Sequence, residues 1–460
     1  MPLRRCSNLS CRKPAERYKG GCMICSQHLC AQHLSSDYHE CPSNKDGDNY
    51  WSLYDTAKAA QFEDFLARIN FKSIESKASC LRDGIPCRIP AFALEGDLSK
   101  RKELALAQTG GQNCNIDVVF EDGVTWLARI RLDDPLIPPK DTRNYILTSE
   151  YHTLKCLESW NIPTPKVFHY EVDDPTSSYI LMEKMSGSPL DWSSASPTER
   201  TKVMEQLADI YADIYRHPFK VSGSILNSST PGGPLIGGFA QSQTFASPNE
   251  PIGPFTNLEQ AASAIIRHQQ EMLISCEVDS LPVDMYLSHL WRLEALGSLK
   301  GGSSDVFYLK HFDDKGDHLL VDENFNITAV IDWEFASTEI EGLAFSSPCM
   351  MWPVGDFYDG KNVLSDEERE FTEILEKKGY HHLSKLVRDG RKFQRFFFFL
   401  GGGAAEELEE FKNLFQGLRE SFLTEGDILN SYEDWKAEMI LKYKDDEGLI
   451  ELLASVKGNF

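Results

Sequence analysis

The sequence lacks long apolar stretches and is short of positive charge. It has no run of eighteen apolar residues, and its longest aromatic patch, residues 396–399, is far too short to cross a bilayer. With 47 Lys and Arg against 70 Asp and Glu, the formal charge is -23, which disfavours a nucleic acid partner. The acidic surface is read first as a solubility feature, with attraction of a cationic substrate as the alternative.

The cysteines are not arranged as an extracellular disulfide framework. No secretory leader is recognisable at the start of the sequence, and six of the twelve cysteines are scattered along the chain beyond residue 49. They are Cys80, Cys87, Cys114, Cys156, Cys276 and Cys349. We expect a protein of a reducing compartment, cytoplasmic with the nucleus as an alternative, and no membrane partner.

The first 49 residues concentrate soft metal ligands. Eight cysteines and histidines follow one another at short spacings in a span too short to bury a core of its own, so bound zinc would supply the missing stability. They are Cys6, Cys11, Cys22, Cys25, Cys30, His33, His39 and Cys41. His28 competes with His33 for one ligand position.

The end of this pattern, C-x4-C-x2-H-x5-H-x-C, resembles the AN-one type zinc finger, whereas the opening C-x4-C is wider than that family's C-x2-C. The resemblance implies two structural zinc ions. One would take Cys6, Cys11, Cys30 and His33, and the other Cys22, Cys25, His39 and Cys41. Such modules bind partners rather than perform chemistry, so we expect a possible protein partner here and independence from any catalytic cleft.

Residues 311–334, HFDDKGDHLLVDENFNITAVIDWE, space carboxylates as a phosphoryl-transfer loop does. His311 and Asp313 open a loop, an apolar strand follows at 319–321, and a second β-branched strand at 327–331 delivers Asp332. This layout predicts two acids on one face of a cleft. The alternative is a pair of surface turns joined by a hairpin, because Asp, Gly and Asn are common in turns.

The segment resembles the aminoglycoside phosphotransferase family, a branch of the protein-kinase-like fold, and is similar to its fungal members. The resemblance implies that Asp313 is the catalytic carboxylate, with His311 opening the motif, and that Asp332 binds Mg or Mn. His318 stands where the family has a metal-binding Asn. Either its imidazole is the second ligand, or a nearby acid replaces it. The candidate acids are Asp314, Asp317 and Asp322.

The order of features upstream agrees with that resemblance. Gly110 and Gly111 lie between an apolar segment at 104–107 and a predicted strand at 116–120, as in a turn over phosphates, although a plain hairpin turn is the alternative. Arg129, on a predicted strand at 125–130, replaces the phosphate-binding Lys. Glu150, opening a helix that ends at Asn161, is its expected ion-pair partner or else an acid favoured by the helix dipole.

Residues 181–190 are predicted to form the hinge that receives the nucleotide base. They follow a predicted hairpin of strands 167–171 and 179–183, and we expect Glu183 and Met185 to lie at the nucleotide. Residues 228–254 are rich in Gly, Pro, Ser and Gln and predict a long loop over the active site.

Together these features predict an α+β chain with a protein-kinase-like two-lobed fold preceded by a small zinc-binding module. The expected domains are the zinc module at 1–49, a connecting helical segment at 50–100, a β-rich lobe at 101–187 and a helical lobe at 188–460.

The predicted function is transfer of a γ-phosphoryl group from ATP or GTP to the hydroxyl of a small-molecule acceptor. The substitutions at Arg129 and His318 and the small number of glycines in the turn favour the alternative of a kinase-like binding protein without turnover. A third possibility is an adaptor in which the zinc module is primary.

Overall fold

The computed structural model describes residues 2–35, 37–42, 48–90, 109–299, 305–398, 407–424 and 426–457. The predicted α+β class and two-lobed arrangement are confirmed, because an antiparallel sheet is followed by a mainly helical lobe. The apolar segment predicted at 104–107 lies outside the described residues. Among the helices of the described ranges, none is both long and apolar enough to cross a membrane.

The smaller lobe is built on a five-stranded antiparallel sheet. Its strands are β1 (Cys87–Arg88), β2 (Asn113–Phe120), β3 (Thr125–Arg131), β4 (Val167–Glu171) and β5 (Tyr179–Glu183). Their order across the sheet is β1-β2-β3-β5-β4. Along β2 every second side chain is buried, the alternation expected of a strand packed on one face. The predicted β4–β5 hairpin is confirmed by its antiparallel pairing.

Helices cover both faces of this sheet. On one face, α1 (Asp48–Arg68) and α2 (Phe71–Leu81) share a buried core with β2 and β3 that contains Phe62, Phe65 and Ile116. On the other face, α3 (Lys140–Leu157) shares a core with β4 and β5. The prediction that this helix opens at Glu150 and ends at Asn161 is wrong, because its polar first turns conceal the amphipathic pattern.

The helical lobe begins with β6 (Ser188–Pro189) and α4 (Pro197–Tyr215), where Ser196 and Glu199 form a reciprocal capping box. Two helices, α5 (Leu258–Ile274) and α6 (Pro282–Ala295), lead to a small group of strands. These are β11 (Phe307–Lys310), β12 (Leu319–Val321), β13 (Ile327–Val330) and β14 (Ser337–Ile340), with β11 paired to β14 and β12 paired to β13 and β6.

The chain then continues as helices. They are α7 (Glu341–Ala344), α8 (Val354–Tyr358), α9 (Asp366–Lys377), α10 (His381–Arg388), α11 (Arg391–Phe398), α12 (Leu408–Glu420), α13 (Tyr432–Lys442) and α14 (Glu447–Lys457). Several of these helices pack α5 and α6 into a large apolar core that includes Phe411, Phe415 and Leu449.

The loop predicted at 228–254 carries short strands of its own. β7 (Ser224–Asn227) pairs with β8 (Leu235–Gly237), and β9 (Phe245–Ser247) pairs with β10 (Glu250–Pro251). The Tyr145 hydroxyl of α3 donates a 2.9 Å hydrogen bond to the Gly238 carbonyl. The segment is therefore anchored to the smaller lobe, which composition alone did not predict.

The amino-terminal module bridges the two lobes, which argues against its predicted independence from the catalytic cleft. In the helical lobe, Arg17 binds Glu277 at 2.7 Å and donates to the Phe245 carbonyl at 3.1 Å. Toward the smaller lobe, His28 Nε2 bonds to the Pro135 carbonyl at 2.9 Å, and Arg4 donates to the Ile137 carbonyl. In the sequence, Arg4 and Arg17 belong to a group of basic residues, and this pattern does not by itself predict their contacts with the lobes.

We expect Glu277→Ala to lower the free energy of unfolding by about 3–5 kcal/mol, because it leaves the Arg17 guanidinium buried without its counter-ion. The side chains of the pair are only 2% and 6% exposed. Chemical denaturation measures the loss. Glu373→Ala, which breaks an ion pair with Lys377 in which both side chains are exposed (69% and 74%), is the control and should cost less than about 1 kcal/mol. Equal losses would contradict a buried role for the Arg17 pair.

Candidate active site

The loop of residues 311–318 joins β11 to β12 and is anchored through Asp314. One oxygen of this carboxylate lies 2.6 Å from Lys310 Nζ, and the other accepts a 2.8 Å hydrogen bond from the Cys349 N–H. Because Asp314 is buried with both oxygens committed, it does not serve as the replacement metal ligand that the sequence allowed. Asp322 is likewise occupied, since it accepts hydrogen bonds from the backbone N–H groups of Asn324 and Asn326.

Asp313, the residue before this anchor, keeps 40% of its side chain exposed. Its Oδ2 lies 3.1 Å from Lys315 Nζ. Burial tends to lower the pKa of Lys315, but its hydrogen bond to Asp313 and the charges of Asp313, Asp317 and Asp332 outweigh burial and raise it. The Lys315 ammonium group is therefore stabilised by both predicted site carboxylates, Asp313 and Asp332. The sequence reasoning missed Lys315, although a lysine two residues after Asp313 was the available signal.

Asp332 follows β13 in a left-handed backbone conformation with φ of 64°. Residues with a side chain seldom adopt this conformation, and where they do it often marks a functional site. Burial acts to raise the pKa of Asp332, but the charge of Arg129 and its hydrogen bond to the carboxylate outweigh burial, so the net shift is downward. The carboxylate is ionised at neutral pH, and its side chain is 34% exposed. These properties suit a ligand for a hard cation.

His311 joins the catalytic loop to the strand that carries Asp332. Its ring is buried, and Nε2–H donates a 2.9 Å hydrogen bond to the Ile331 carbonyl. Burial lowers the pKa of His311 despite opposing effects of that carbonyl and of Asp314, so the ring is neutral near pH 7. This geometry makes His311 a positioning residue, and its predicted place among the catalytic residues is not supported.

His318 is also buried and tied to the backbone. Its Nδ1 accepts a 3.3 Å hydrogen bond from the Gly316 N–H, and burial lowers the pKa of His318 well below the usual value. A neutral imidazole that accepts at Nδ1 carries its proton on Nε2, so neither nitrogen offers a free lone pair. The structure therefore does not support His318 as a ligand for Mg or Mn.

We expect His318→Asn to tighten Mg-dependent nucleotide binding several-fold, because it supplies the oxygen donor that Mg prefers. Calorimetric titration of nucleotide with Mg and with Mn measures the change. His382→Asn, at a 48% exposed histidine, should have no effect. A wild type that prefers Mn, with that preference lost in His318→Asn, would show instead that the imidazole binds the metal.

Behind Asp332 lies a buried network of opposite charges. Arg129 Nε is 2.9 Å from Glu150 Oε1, which is the predicted ion pair. The same guanidinium contacts Asp332 and lies 3.2 Å from Glu334 Oε1, while Arg131 contacts Glu334 and lies 3.6 Å from Glu150. Because α3 begins at Lys140, Glu150 lies in the middle of the helix, and the helix-dipole alternative is excluded.

The network carries two guanidinium groups and three carboxylates, so its formal charge is negative by one when all are ionised. Burial raises the pKa of Glu150 to about 7 even though the charge of Arg129 opposes it. Asp332 is the most exposed carboxylate of the three and is where a cation can reach the excess charge. Sequence reasoning gave Glu334 no role, although an acid two residues after Asp332 was visible.

The glycine turn ends beside this network. The Gly110 N–H donates a 2.9 Å hydrogen bond to the Asn113 carbonyl, and Asn113 Nδ2 donates at 3.2 Å to Glu334 Oε1. A methyl group on Gly111 would meet no atom within 4 Å, so this position is open. The structure thus brings the turn close to Glu334 and Arg129.

The predicted hinge residues divide into two kinds. Glu183 is committed to the β4–β5 hairpin, because its Oε2 accepts a 3.3 Å hydrogen bond from the Lys166 N–H and its own N–H donates at 2.8 Å to the Lys166 carbonyl. A direct contact of the Glu183 side chain with a nucleotide is therefore not supported. Met185 is partly buried, and within the described ranges its backbone makes no hydrogen bond to protein.

In the amino-terminal module the eight predicted ligands form two groups. One contains Cys6, Cys11, Cys30 and His33, and the other Cys22, Cys25, His39 and Cys41, with the ligand atoms of each group within 4.8 Å of one another. Three thiols and one imidazole are a donor set that suits structural zinc. His28 is bonded to Pro135 and does not replace His33.

No protein-family model and no curated protein matches the sequence. Solved structures show a similar course of the chain. A Ralstonia eutropha JMP134 protein assigned as an aminoglycoside phosphotransferase is 17% identical, with 68% of this chain and 91% of that chain covered and a TM-score of 0.44. APH(4)-Ia is 14% identical, with 68% and 90% covered and a TM-score of 0.42. At these values the similarity assigns no activity.

Proposed function

We propose that this chain is a phosphotransferase that moves the γ-phosphoryl group of ATP or GTP to the hydroxyl of a small molecule. The observation that carries the proposal is that two carboxylates, Asp313 before β12 and Asp332 after its partner strand β13, have different surroundings. Asp313 is exposed beside Lys315, whereas Asp332 is the open end of a buried charge network. Phosphoryl transfer needs an acid to orient a hydroxyl and a site for charge neutralisation.

In the proposed mechanism Asp313 accepts a hydrogen bond from the acceptor hydroxyl and orients its oxygen for attack. Lys315 neutralises charge on the phosphoryl oxygens as it is transferred, in keeping with its position near Asp313 and Asp332. A Mg or Mn ion held by Asp332 would neutralise further charge on the phosphates. Arg129 holds the open end of the network in place, and His311 holds the loop against the Asp332 strand.

The nucleotide is proposed to lie between the glycine turn and the hinge. Open space at Gly111 allows close approach of phosphates to backbone N–H groups. The free backbone groups of Met185 suit hydrogen bonds to the base. We also assign two structural zinc ions to the Cys3His groups, and a protein partner to the face of the module not packed on the lobes.

A thermal-shift titration with ATP and GTP, each with Mg, with Mn or with EDTA, tests the proposal. We expect a rise in the unfolding temperature with nucleotide plus metal and a smaller rise in EDTA. Release of ADP or GDP in the presence of hydroxyl compounds then tests turnover. Absence of nucleotide binding under every metal condition would refute the assignment.

We expect Lys315→Met to lower the turnover number by about 10²-fold while nucleotide affinity changes little, because the cation acts mainly on charge that develops during transfer. Steady-state kinetics and nucleotide titration measure the two effects. Lys378→Met, which removes a lysine 2.9 Å from Asp209 on the helical lobe, is the matched control and should leave both unchanged. A loss of affinity equal to the loss of turnover would place Lys315 in ground-state binding.

A kinase-like binding protein without turnover is the second candidate, favoured by the direct contact of Arg129 with Asp332. That contact competes with a metal ion for the same carboxylate. Arg129→Lys discriminates between the two functions, since a shorter cation that pairs with Glu150 frees Asp332. Metal-dependent turnover that appears only in the variant would favour the binding protein.

A further inference from the structure

A cavity of about 400 Å³ adjoins the catalytic loop on the side of the helical lobe. Phe312 and Asp314, the two chain neighbours of Asp313, both line it. Cys349 lines it as well. Burial raises the pKa of the Cys349 thiol to about 11, and the charges of Asp314 and Asp313 add to the rise. The volume is in the range of pockets for small organic molecules, about 300–1,000 Å³.

Aromatic side chains dominate the walls of this cavity. Six of its seventeen lining residues are aromatic: Phe239, Phe312, Trp352, Tyr358, Phe397 and Phe398. Such walls stabilise rings and hydrocarbon groups, and they attract a single cation through the faces of the rings. The uncharged polar groups that complete the lining supply no counter-ions, so desolvation of several ammonium groups in the cavity would be unfavourable; they are Gln241, Gln243, Thr244, Ser346 and Gln394.

Among the described residues that line the cavity, one carboxyl group has no counter-ion. Of the charged lining residues, Lys310 and Asp314 neutralise each other at 2.6 Å. Glu339, on β14, is 8% exposed, and its Oε1 accepts a 2.6 Å hydrogen bond from the Ser337 hydroxyl. Burial raises the pKa of Glu339 to about 7, against the opposing effects of Ser337 and Lys310. A positive charge in the cavity would keep this carboxylate ionised.

We infer that this cavity is the acceptor site, and that the acceptor is a mainly apolar, ring-containing amino alcohol with one positive charge. The inference rests on the proposed phosphotransfer function. The ammonium group pairs with Glu339, the ring packs against the aromatic walls, and the hydroxyl reaches Asp313. A polycationic aminoglycoside does not fit, because the lining residues that the structure describes include one unneutralised carboxylate and not several.

The transfer step needs only the acceptor hydroxyl, the Asp313 carboxylate and the nucleotide. The acceptor oxygen forms a bond to the γ-phosphorus as the bond from that phosphorus to the bridging oxygen breaks. The nucleoside diphosphate leaves with the electron pair of that bond, and the hydroxyl proton passes to the Asp313 carboxylate and then to solvent.

Two probes that differ only in charge test the inference on the full chain. Phenylalaninol carries one ammonium group, and 2-methyl-3-phenylpropan-1-ol has a methyl group in its place. We expect calorimetry to show that phenylalaninol binds about ten- to a hundredfold more tightly, the range for a hydrogen bond to a charged group. Glu339→Gln should remove this preference. Glu373→Gln, at a glutamate whose side chain is 69% exposed, should retain it.

Phe312→Ala provides a second variant if Glu339→Gln does not fold, and it should weaken binding of both probes by removing an aromatic wall. Equal affinity for the two probes, a charge preference that persists in Glu339→Gln, or tighter binding of kanamycin would each overturn the acceptor class. Nucleotide binding is measured separately. If phenylalaninol binds through Glu339 while no nucleotide binds, the ligand class is supported and the phosphotransfer function alone fails.

Discussion

Asp313→Ala is expected to leave Mg-dependent nucleotide binding intact and to lower turnover by about 10²–10⁴-fold, the usual contribution of a positioned acid or base. Asp332→Ala is expected to abolish the metal-dependent part of nucleotide binding. The two effects differ because an acid that orients a hydroxyl acts mostly in the transition state, whereas a metal ligand acts already in the ground-state complex. Nucleotide titration in Mg and in EDTA, with single-turnover kinetics, separates them.

Asp209→Ala is the matched control for Asp313, because Asp209 also pairs with a lysine, Lys378 at 2.9 Å, and its side chain is 56% exposed. It should change neither affinity nor turnover substantially. Asp332→Asn serves as the conservative variant, since it retains a side chain that can accept from Arg129. Wild-type metal dependence in both Asp332 variants would contradict the assignment of Asp332 as the metal ligand.

Removal of zinc is expected to destabilise the whole protein and not the amino-terminal module alone. The metal-binding free energy of such a module is largely its folding free energy, about 10–16 kcal/mol for structural zinc. When the module unfolds, the Arg17–Glu277 pair and the His28 contact to Pro135 are lost with it. Calorimetry before and after chelation should show a lower unfolding temperature for the lobes, and nucleotide binding should weaken.

Metal analysis of the full chain should find two zinc ions, one for each Cys3His group. Cys6→Ser and Cys25→Ser each remove a ligand from one group and should reduce the content by one ion. Cys156→Ser, at a partly buried cysteine outside the module, should leave the content unchanged. A content near zero in the wild type, or an unfolding temperature of the lobes that is indifferent to chelation, would contradict the zinc-dependent bridge.

Much of the fold near the site was predicted from the sequence, because strands and hairpins depend on patterns of residues that are close together in the chain. Strand alternation placed β3, and the β4–β5 hairpin was recognised from two apolar runs and the turn between them. The ion pair between Arg129 and Glu150 was predicted because the order of elements resembles that of a kinase-like lobe. The start of α3 was not predicted, because the first turns of that helix are polar and lack the apolar periodicity on which the prediction depended.

The sequence by itself determined which residue types are available: the eight soft ligands, the two site carboxylates Asp313 and Asp332, and the cation on β3. The tertiary structure alone decided their availability. It committed Asp314 to Lys310, turned both histidines of the loop into buried partners of the backbone, and left Asp313 exposed. It also joined Arg17 to Glu277 and formed the aromatic cavity from distant segments. The physical reason is that burial and counter-ion pairing depend on contacts between residues far apart in the chain, which no local pattern encodes.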